Sequence, residues 1–240
     1  MQRYFKDTNQ DIFELSQDDS YHITKVMRNN IGDLVEVVID KKLYICEIIE
    51  INNLVTVKKK EEIETDSELA CFVTIAQSLV KEQKMDLILQ KSCELGVSEV
   101  IPINTTRSIV KLDKKETKKI ERWNKILKEA SEQSKRVVIP KVNNILDVKE
   151  LAKLDYDIKI LCTVNELSTS IKRVLSKDLK GAKIILVIGP EGGFTDAEEK
   201  ILIENGYIST SFGNRVLRTE TASLYALSII NYILMRWLYG

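Results

Sequence analysis

Apolar and polar residues alternate in short runs between Leu34 and Lys60, where the chain reads LVEVVIDKKLYICEIIEINNLVTVKKK. β-Branched residues at a period of two predict strands, and Asp40-Lys41-Lys42 and Asn52-Asn53 read as the turns between them. At least three antiparallel strands are expected. Just upstream, SQDDSYHITKVMRNNIGD offers Ser16 as a helix cap and places Tyr21, Ile23 and Val26 in a short amphipathic helix that ends by Gly32. Together these segments predict a small barrel of about 65 residues, a size common among RNA-binding modules.

Farther along, the apolar runs lengthen. CFVTIAQSLV reads as a buried strand, KMDLILQKSCELGV as a helix stopped by Gly96, and VIPINT as a second strand. Residues 114–136 have the clearest helical period, with Ile120, Trp123, Leu127 and Ala130 on one face and Lys115, Lys118, Lys119, Arg122 and Lys125 on the other. DIKILCTV and AKIILVIG are strands separated by a helical segment. Alternating strands and helices predict an α/β domain whose largely parallel sheet is covered on both faces. The uncharged stretch from Thr221 to Met235 is shorter than a bilayer span and contains Ser223, Ser228 and Asn231, so it reads as a buried helix. Leu224, Leu227, Ile230, Ile233, Leu234 and Trp237 occupy more than one stripe of that helix, which predicts a homodimer.

Composition narrows this only slightly. With 240 residues, 44% hydrophobic and 30% charged, one large or two small domains are possible. Cys46, Cys71, Cys93 and Cys162 are far apart, without a C-x-x-C pair, and one histidine is the only imidazole available. Free thiols in a reducing compartment are expected rather than disulfides or a metal site. The polar start MQRYFKDTNQ lacks the apolar core of a secretion signal, so a cytoplasmic protein is expected, with no membrane partner. Net charge is zero, but residues 1–70 carry nine Lys or Arg against fifteen Asp or Glu, a net of −6, which leaves +6 for the rest. The acidic run Glu61, Glu62, Glu64, Asp66 and Glu68 places a boundary near residue 66, giving domains of 1–68 and 69–240.

Two loops concentrate chemistry. Ile188-Gly189-Pro190-Glu191-Gly192-Gly193-Phe194-Thr195 follows the apolar strand Ile184–Val187, and Thr195 with Glu198 forms a capping box for the next helix. Its glycines let backbone approach a ligand, as a loop at the carboxyl end of a parallel strand requires. It lacks the Lys-Ser/Thr of a phosphate loop and the G-x-G-x-x-G spacing, so an uncharged ligand held by backbone groups fits better; a tight turn without ligand is the plainer alternative. The second loop, Phe212-Gly213-Asn214-Arg215-Val216-Leu217-Arg218-Thr219-Glu220-Thr221-Ala222, precedes the apolar C-terminal helix. Taken alone, Thr219 could be a helix cap and Arg218 a solvated charge.

Together, GPEGGFT and GNRVLRTETA resemble the RsmE group of the SPOUT methyltransferases. Supporting matches run through the chain: Arg3 and Phe5, His22-x-x-x-Val26-x-Arg28, Gly32-Asp33, Lys91-x-x-Glu94-Leu95-Gly96-Val97, Pro102, Arg107-Ser108, Arg122-Trp123, Glu129-Ala130, Gln133-Ser134, Arg136 and Pro140. Val216 and Met27 depart from the usual aliphatic residues and keep apolar character. The resemblance implies a PUA-like β-barrel followed by an α/β domain with a C-terminal trefoil knot, S-adenosylmethionine as cofactor, and methylation of uridine N3 in 16S ribosomal RNA of the small subunit. It places the donor among Thr163, Ile188, Gly189, Pro190, Glu191, Gly192, Gly193, Phe212, Gly213, Val216, Leu217, Arg218 and Thr221.

Methyl transfer is an in-line displacement that needs alignment rather than a metal. The N3 proton must also leave, so Arg218 is a candidate cation and Glu220 or Glu191 a candidate base or positioning group. Arg3, His22, Arg28, Arg107, Lys111, Lys135 and Arg136 are candidate RNA contacts, with His22 read as a hydrogen-bonded structural residue or an RNA contact rather than a catalyst. Three other readings remain: a dinucleotide oxidoreductase, a non-catalytic RNA-binding protein, and a SPOUT methyltransferase acting on another RNA. GPEGG lies late in the chain for the first, and both intact loops weigh against the second.

Overall fold

The computed structural model describes residues 1–110, 116–164, 166, 169–175 and 178–239, the side chains of 236–239 excepted. Two compact units emerge: Met1–Glu68 with Ser131–Val138, and Leu69–Ala130 with Ile139–Gly240. Residues 131–138, assigned from sequence to the second domain, belong to the first unit because Glu68 binds them. Its carboxylate accepts from the Arg136 guanidinium at 2.5 and 3.1 Å and from the backbone N–H of Val137 (3.0 Å) and Val138 (3.2 Å).

The first unit contains β1 (Arg3–Phe5), β2 (Ile12–Glu14), β3 (Leu34–Ile39), β4 (Lys42–Ile51) and β5 (Val55–Ile63), in sheet order β1-β3-β4-β5-β2. Only β1 and β3 pair in parallel. Asp40 and Lys41 both have positive φ (47° and 63°), the two-residue turn whose twist matches a hairpin. Register shifts at Ile45/Cys46 and Ile48/Glu50 bend the sheet over its core of Tyr4, Phe13, Val37, Ile48 and Val57. Helix α1 (Gln17–Tyr21) starts at Ser16, whose Oγ accepts from the Asp19 N–H at 3.1 Å, and continues as a π-helix over His22–Val26. Of the three apolar residues expected to face inward, only Ile23 is buried; Tyr21 and Val26 are exposed. The buried face follows Asp19, Ser20 and Ile23, at spacings of three and four, and Tyr21 lies far round the helix from Ile23.

The second unit has β6 (Phe72–Ser78), β7 (Glu99–Asn104), β8 (Lys141–Val142), β9 (Leu146–Asp147), β10 (Ile158–Cys162), β11 (Lys183–Ile188) and β12 (Ile208–Thr210). The order is β12-β10-β11-β6-β7-β8, with β9 also on β7, and every pairing is parallel. Along β11, Ile184, Leu186 and Ile188 enter one core while Ile185 and Val187 enter the other, so both faces are covered. The first core packs under α2 (Glu82–Glu94), α3 (Glu116–Gln133) and the long α7 (Thr219–Tyr239); the second packs under α4 (Val148–Ala152) and α6 (Asp196–Glu204). A short α5 (Ile171–Val174) also lies on the first side. On α3, Trp123, Leu127 and Ala130 are buried and Ile120 half-buried, as the helical period requires. The helix stops before residue 136 because Lys135 takes a positive φ of 62° and the Arg136 N–H turns back to the Ser131 carbonyl. No helix among the described residues is long and apolar enough to cross a membrane.

Candidate active site

Strands β10, β11 and β12 end on one side of the sheet, where the chain doubles back between β6 and β10. In open α/β sheets such a reversal leaves a crevice at the carboxyl ends of the strands. Here it is a cleft of about 530 Å³, lined by both glycine-bearing loops and by Cys162, Thr163 and Glu199. At Gly193 (φ 67°) and Gly213 (φ 103°) a left-handed backbone is required, and the space a Cβ would fill is open. Bare backbone is therefore presented to the cleft from two sides.

The loops are tied together by an uncharged buried network. Thr219 Oγ1 donates to the Gly189 carbonyl at 2.7 Å and accepts from Gln77 Nε2 at 2.9 Å. Ser223 Oγ donates to Gln77 Oε1 at 2.6 Å. Gln77, near the end of β6, thus holds the start of α7, and Thr219 carries the tie on to the first loop. A third loop clasps the first from outside. Arg107 donates to the carbonyls of Gly192 (2.9 Å) and Phe194 (3.0 Å), and the Thr106 N–H reaches Glu198 at 2.8 Å. Glu198 also completes the expected capping box with Thr195. Burial alone would raise its pKa, but N–H and O–H donors from Thr195 and Thr106 hold it below the usual carboxylate range.

Charged groups stand at the edge. Arg215 and Arg218 are exposed on the cleft lining. Lys84 lies 2.7 Å from Glu191 and 3.6 Å from Glu220. The Lys84 hydrogen bond keeps the Glu191 carboxyl below its ordinary pKa. Burial pushes the Cys162 thiol well above its own, so it is not a ready nucleophile at neutral pH. Among the described residues, no group of three or more His, Cys, Asp or Glu is placed to hold a metal ion.

Comparison with known proteins fits this geometry. Residues 67–231 match the model of an RNA methyltransferase domain, and residues 15–60 that of an RNA methyltransferase PUA domain. The ribosomal RNA small subunit methyltransferase E of Bacillus subtilis (strain 168) is 39% identical, over 97% of this chain and 96% of that one. The chain belongs to the ribosomal RNA small subunit methyltransferase E family. Among solved structures, the Neisseria gonorrhoeae methyltransferase E bound to S-adenosyl methionine is 28% identical, with a TM-score of 0.88 over 97% of this chain and 98% of that one. A Legionella pneumophila methyltransferase in complex with the bound cofactor SAM is 29% identical, with a TM-score of 0.88 over 96% and 97%.

Every donor-site residue expected from sequence lines the cleft except Thr221, which is exposed. Thr219 and Ala222 turn inward in its place, since residue 221 lies two positions, more than half a helical turn, past Thr219. Glu220 does not line the cleft; its carboxylate faces Lys84, whose Nζ lies 3.6 Å from Oε2. Arg215, Glu199 and Ser211 line it and were not singled out, since nothing in their spacing distinguishes them from solvated residues.

The expected RNA contacts scatter. Arg3 and Arg136 are 4% and 3% exposed, so they are structural cations rather than phosphate contacts. Arg3 Nε bonds Glu36 at 2.8 Å, and its Nη1 donates to the Arg136 carbonyl at 3.2 Å. Lys135 is tied to Glu36 at 3.0 Å and Arg107 to its loop carbonyls. His22 shares a 3.0 Å hydrogen bond with the Tyr4 hydroxyl. Arg28 is exposed, and Lys111 lies outside the described residues.

Proposed function

We propose that the chain transfers a methyl group from S-adenosylmethionine to N3 of a uridine in 16S ribosomal RNA of the small subunit, as a cytoplasmic homodimer. One observation carries this reading: the GPEGG and FGNRVLRTET loops meet at the strand ends around a single cleft, joined by the bond from Thr219 to Gly189. Its volume falls in the range of small-molecule sites, about 300–1,000 Å³. The bare backbone at Gly193 and Gly213 suits a cofactor recognised through main-chain groups. When bound there, S-adenosylmethionine supplies a methyl group on a sulfonium sulfur.

The residues of the chain then have distinct tasks. The Gln77–Thr219–Ser223 network fixes both loops, which holds donor and acceptor in line. Arg218, with Arg215 beside it, brings positive charge to an acceptor base that becomes anionic as its N3 proton leaves. Glu191, held ionised by Lys84, is a weak base and a good positioning group; Glu220 holds Lys84 from the other side. Cys162 stays protonated, which favours direct transfer over a covalent enzyme intermediate. Tyr225, Tyr232 and Met235, exposed on α7, support the dimer.

Calorimetric titration with S-adenosylmethionine tests the donor site, and methylation of small subunits and naked RNA with mapping of the product tests the acceptor. A folded protein that fails to bind the donor overturns the reading. A methyl group mapped elsewhere than uridine N3 overturns only its finer part.

A further inference from the structure

Helices α6 and α7 pack on opposite faces of the sheet, and both reach the cleft: α7 through Thr219 and Ala222, α6 through Glu199. The α7 side belongs to the network that ties the loops. From the α6 side, Glu199 brings a half-buried carboxylate to the lining. Two separate elements fix it there. Its N–H donates to the Thr195 carbonyl at 3.0 Å, in the helical turn that the capping box starts. Its Oε1 accepts from the Thr163 hydroxyl at 2.7 Å, and Thr163 is held at the end of β10 by its own N–H, 3.3 Å from the Thr210 carbonyl. The side-chain bond joins residues 36 positions apart, so carboxylate and hydroxyl meet only once the chain has folded.

Having given its proton to Glu199, the Thr163 oxygen still has a lone pair to accept with, and a carboxylate has several. The cleft therefore presents two hydrogen-bond acceptors side by side. Neighbouring groups of the lining are turned to other work: Thr219 to Gly189 and Gln77, Glu191 to Lys84, and Arg107 to loop carbonyls. Arg215 and Arg218 carry donors and no acceptor. Two adjacent acceptors match two adjacent O–H donors, and hydrogen bonds to a carboxylate are about twice as strong as neutral ones. An ammonium group concentrates three donors on one atom and makes no use of the pairing. In open α/β sheets, a carboxylate near the strand ends holds a ribose in this way.

We propose that Glu199, positioned by Thr163, accepts hydrogen bonds from the ribose hydroxyls of S-adenosylmethionine and makes the cleft selective for a ribonucleoside donor. The inference rests on the reading that the cleft binds this donor, and it names the residue that reads the sugar. Glu199 acts in binding rather than in the chemical step, so its effect is on how tightly the donor is held.

The test is calorimetry on the full chain, wild type and Glu199→Gln, with S-adenosylmethionine and with its 2′,3′-dideoxy counterpart, weak ligands being read by competition. Wild type binds the dideoxy ligand about tenfold more weakly. Glu199→Gln weakens S-adenosylmethionine about tenfold, because a neutral amide is the poorer acceptor, and leaves the dideoxy ligand within about twofold of its wild-type affinity. The Tm of the unliganded variant stays within about 2 °C of wild type. An equal loss for both ligands overturns the proposal, since it would mean that the carboxylate serves the methionine ammonium or only ties α6 to β10. Undiminished affinity of the variant for S-adenosylmethionine overturns it as well. A folded wild type that binds neither ligand removes the donor reading itself, whereas a wild type that binds both equally well removes only the role of Glu199.

Discussion

The two units handle charge in opposite ways. In the first, Arg3 and Arg136 carry guanidinium groups into the interior, where Glu36, Glu68 and backbone carbonyls surround them. In the second, the buried groups that tie the two cleft loops together are uncharged, namely Gln77, Thr219 and Ser223, while Arg215 and Arg218 stay exposed at the cleft. A buried cation is committed to its partners and fixes a fold. An exposed one at a cleft remains available to a ligand. Substitutions should therefore separate stability from catalysis according to the unit they fall in.

The sharpest break is Arg136→Met. It leaves Glu68 without its buried partner and should destabilise the first unit by about 3 kcal/mol. Urea denaturation reads that loss, while affinity for S-adenosylmethionine stays near wild type. Equal loss of donor binding would show that the units do not divide the work this way. Next comes Thr219→Val, which strips the Gly189 carbonyl and the Gln77 amide of a partner; about 2 kcal/mol of stability should go, with roughly tenfold weaker donor binding by calorimetry. Undiminished binding would take this network out of the site.

Arg218→Ala inverts the pattern. Stability should change by no more than about 0.5 kcal/mol, but single-turnover methyl transfer should slow by about a hundredfold. Wild-type rates would remove Arg218 from the chemistry. Smallest is the effect of pH on Glu191. Because its pKa is lowered in the folded state, its contribution is complete above the unfolded carboxylate value and is lost as pH falls through the lowered one. The pair is partly solvated, so the change in stability is slight. In Lys84→Met the Glu191 titration, followed by NMR, should move up toward an ordinary carboxylate. An unmoved midpoint would assign the shift to something other than Lys84.

Local chemistry made much of this legible in the sequence. Ser16, the Asp40-Lys41 turn, the Thr195–Glu198 capping box and both cleft loops depend on neighbours within a few residues, and each appears in the structure where spacing put it. Arg3 and Arg136 were misread as RNA contacts because their partners are set by folding: the bond from Arg3 to the Arg136 carbonyl joins residues 133 positions apart. The bonds of Arg107 to loop carbonyls were likewise out of reach, since backbone acceptors have no sequence signature. Thr221 was a matter of helical phase, decided only once α7 was known to begin at Thr219. Gln77 could have been found, since a glutamine inside a strand buried on both faces needs partners.

The bonds from Glu68 to Arg136, Val137 and Val138 also set an order in time. A chain made from its N-terminus reaches Glu68 long before the residues that Glu68 holds. The first unit cannot close when its own strands leave the ribosome; it must wait, with Glu68 unmatched, until the whole of α3 has been synthesised. The same arrangement makes residue 68 a poor place to cut. A fragment ending there lacks the segment that completes it, and one beginning just after it carries Arg136 without Glu68.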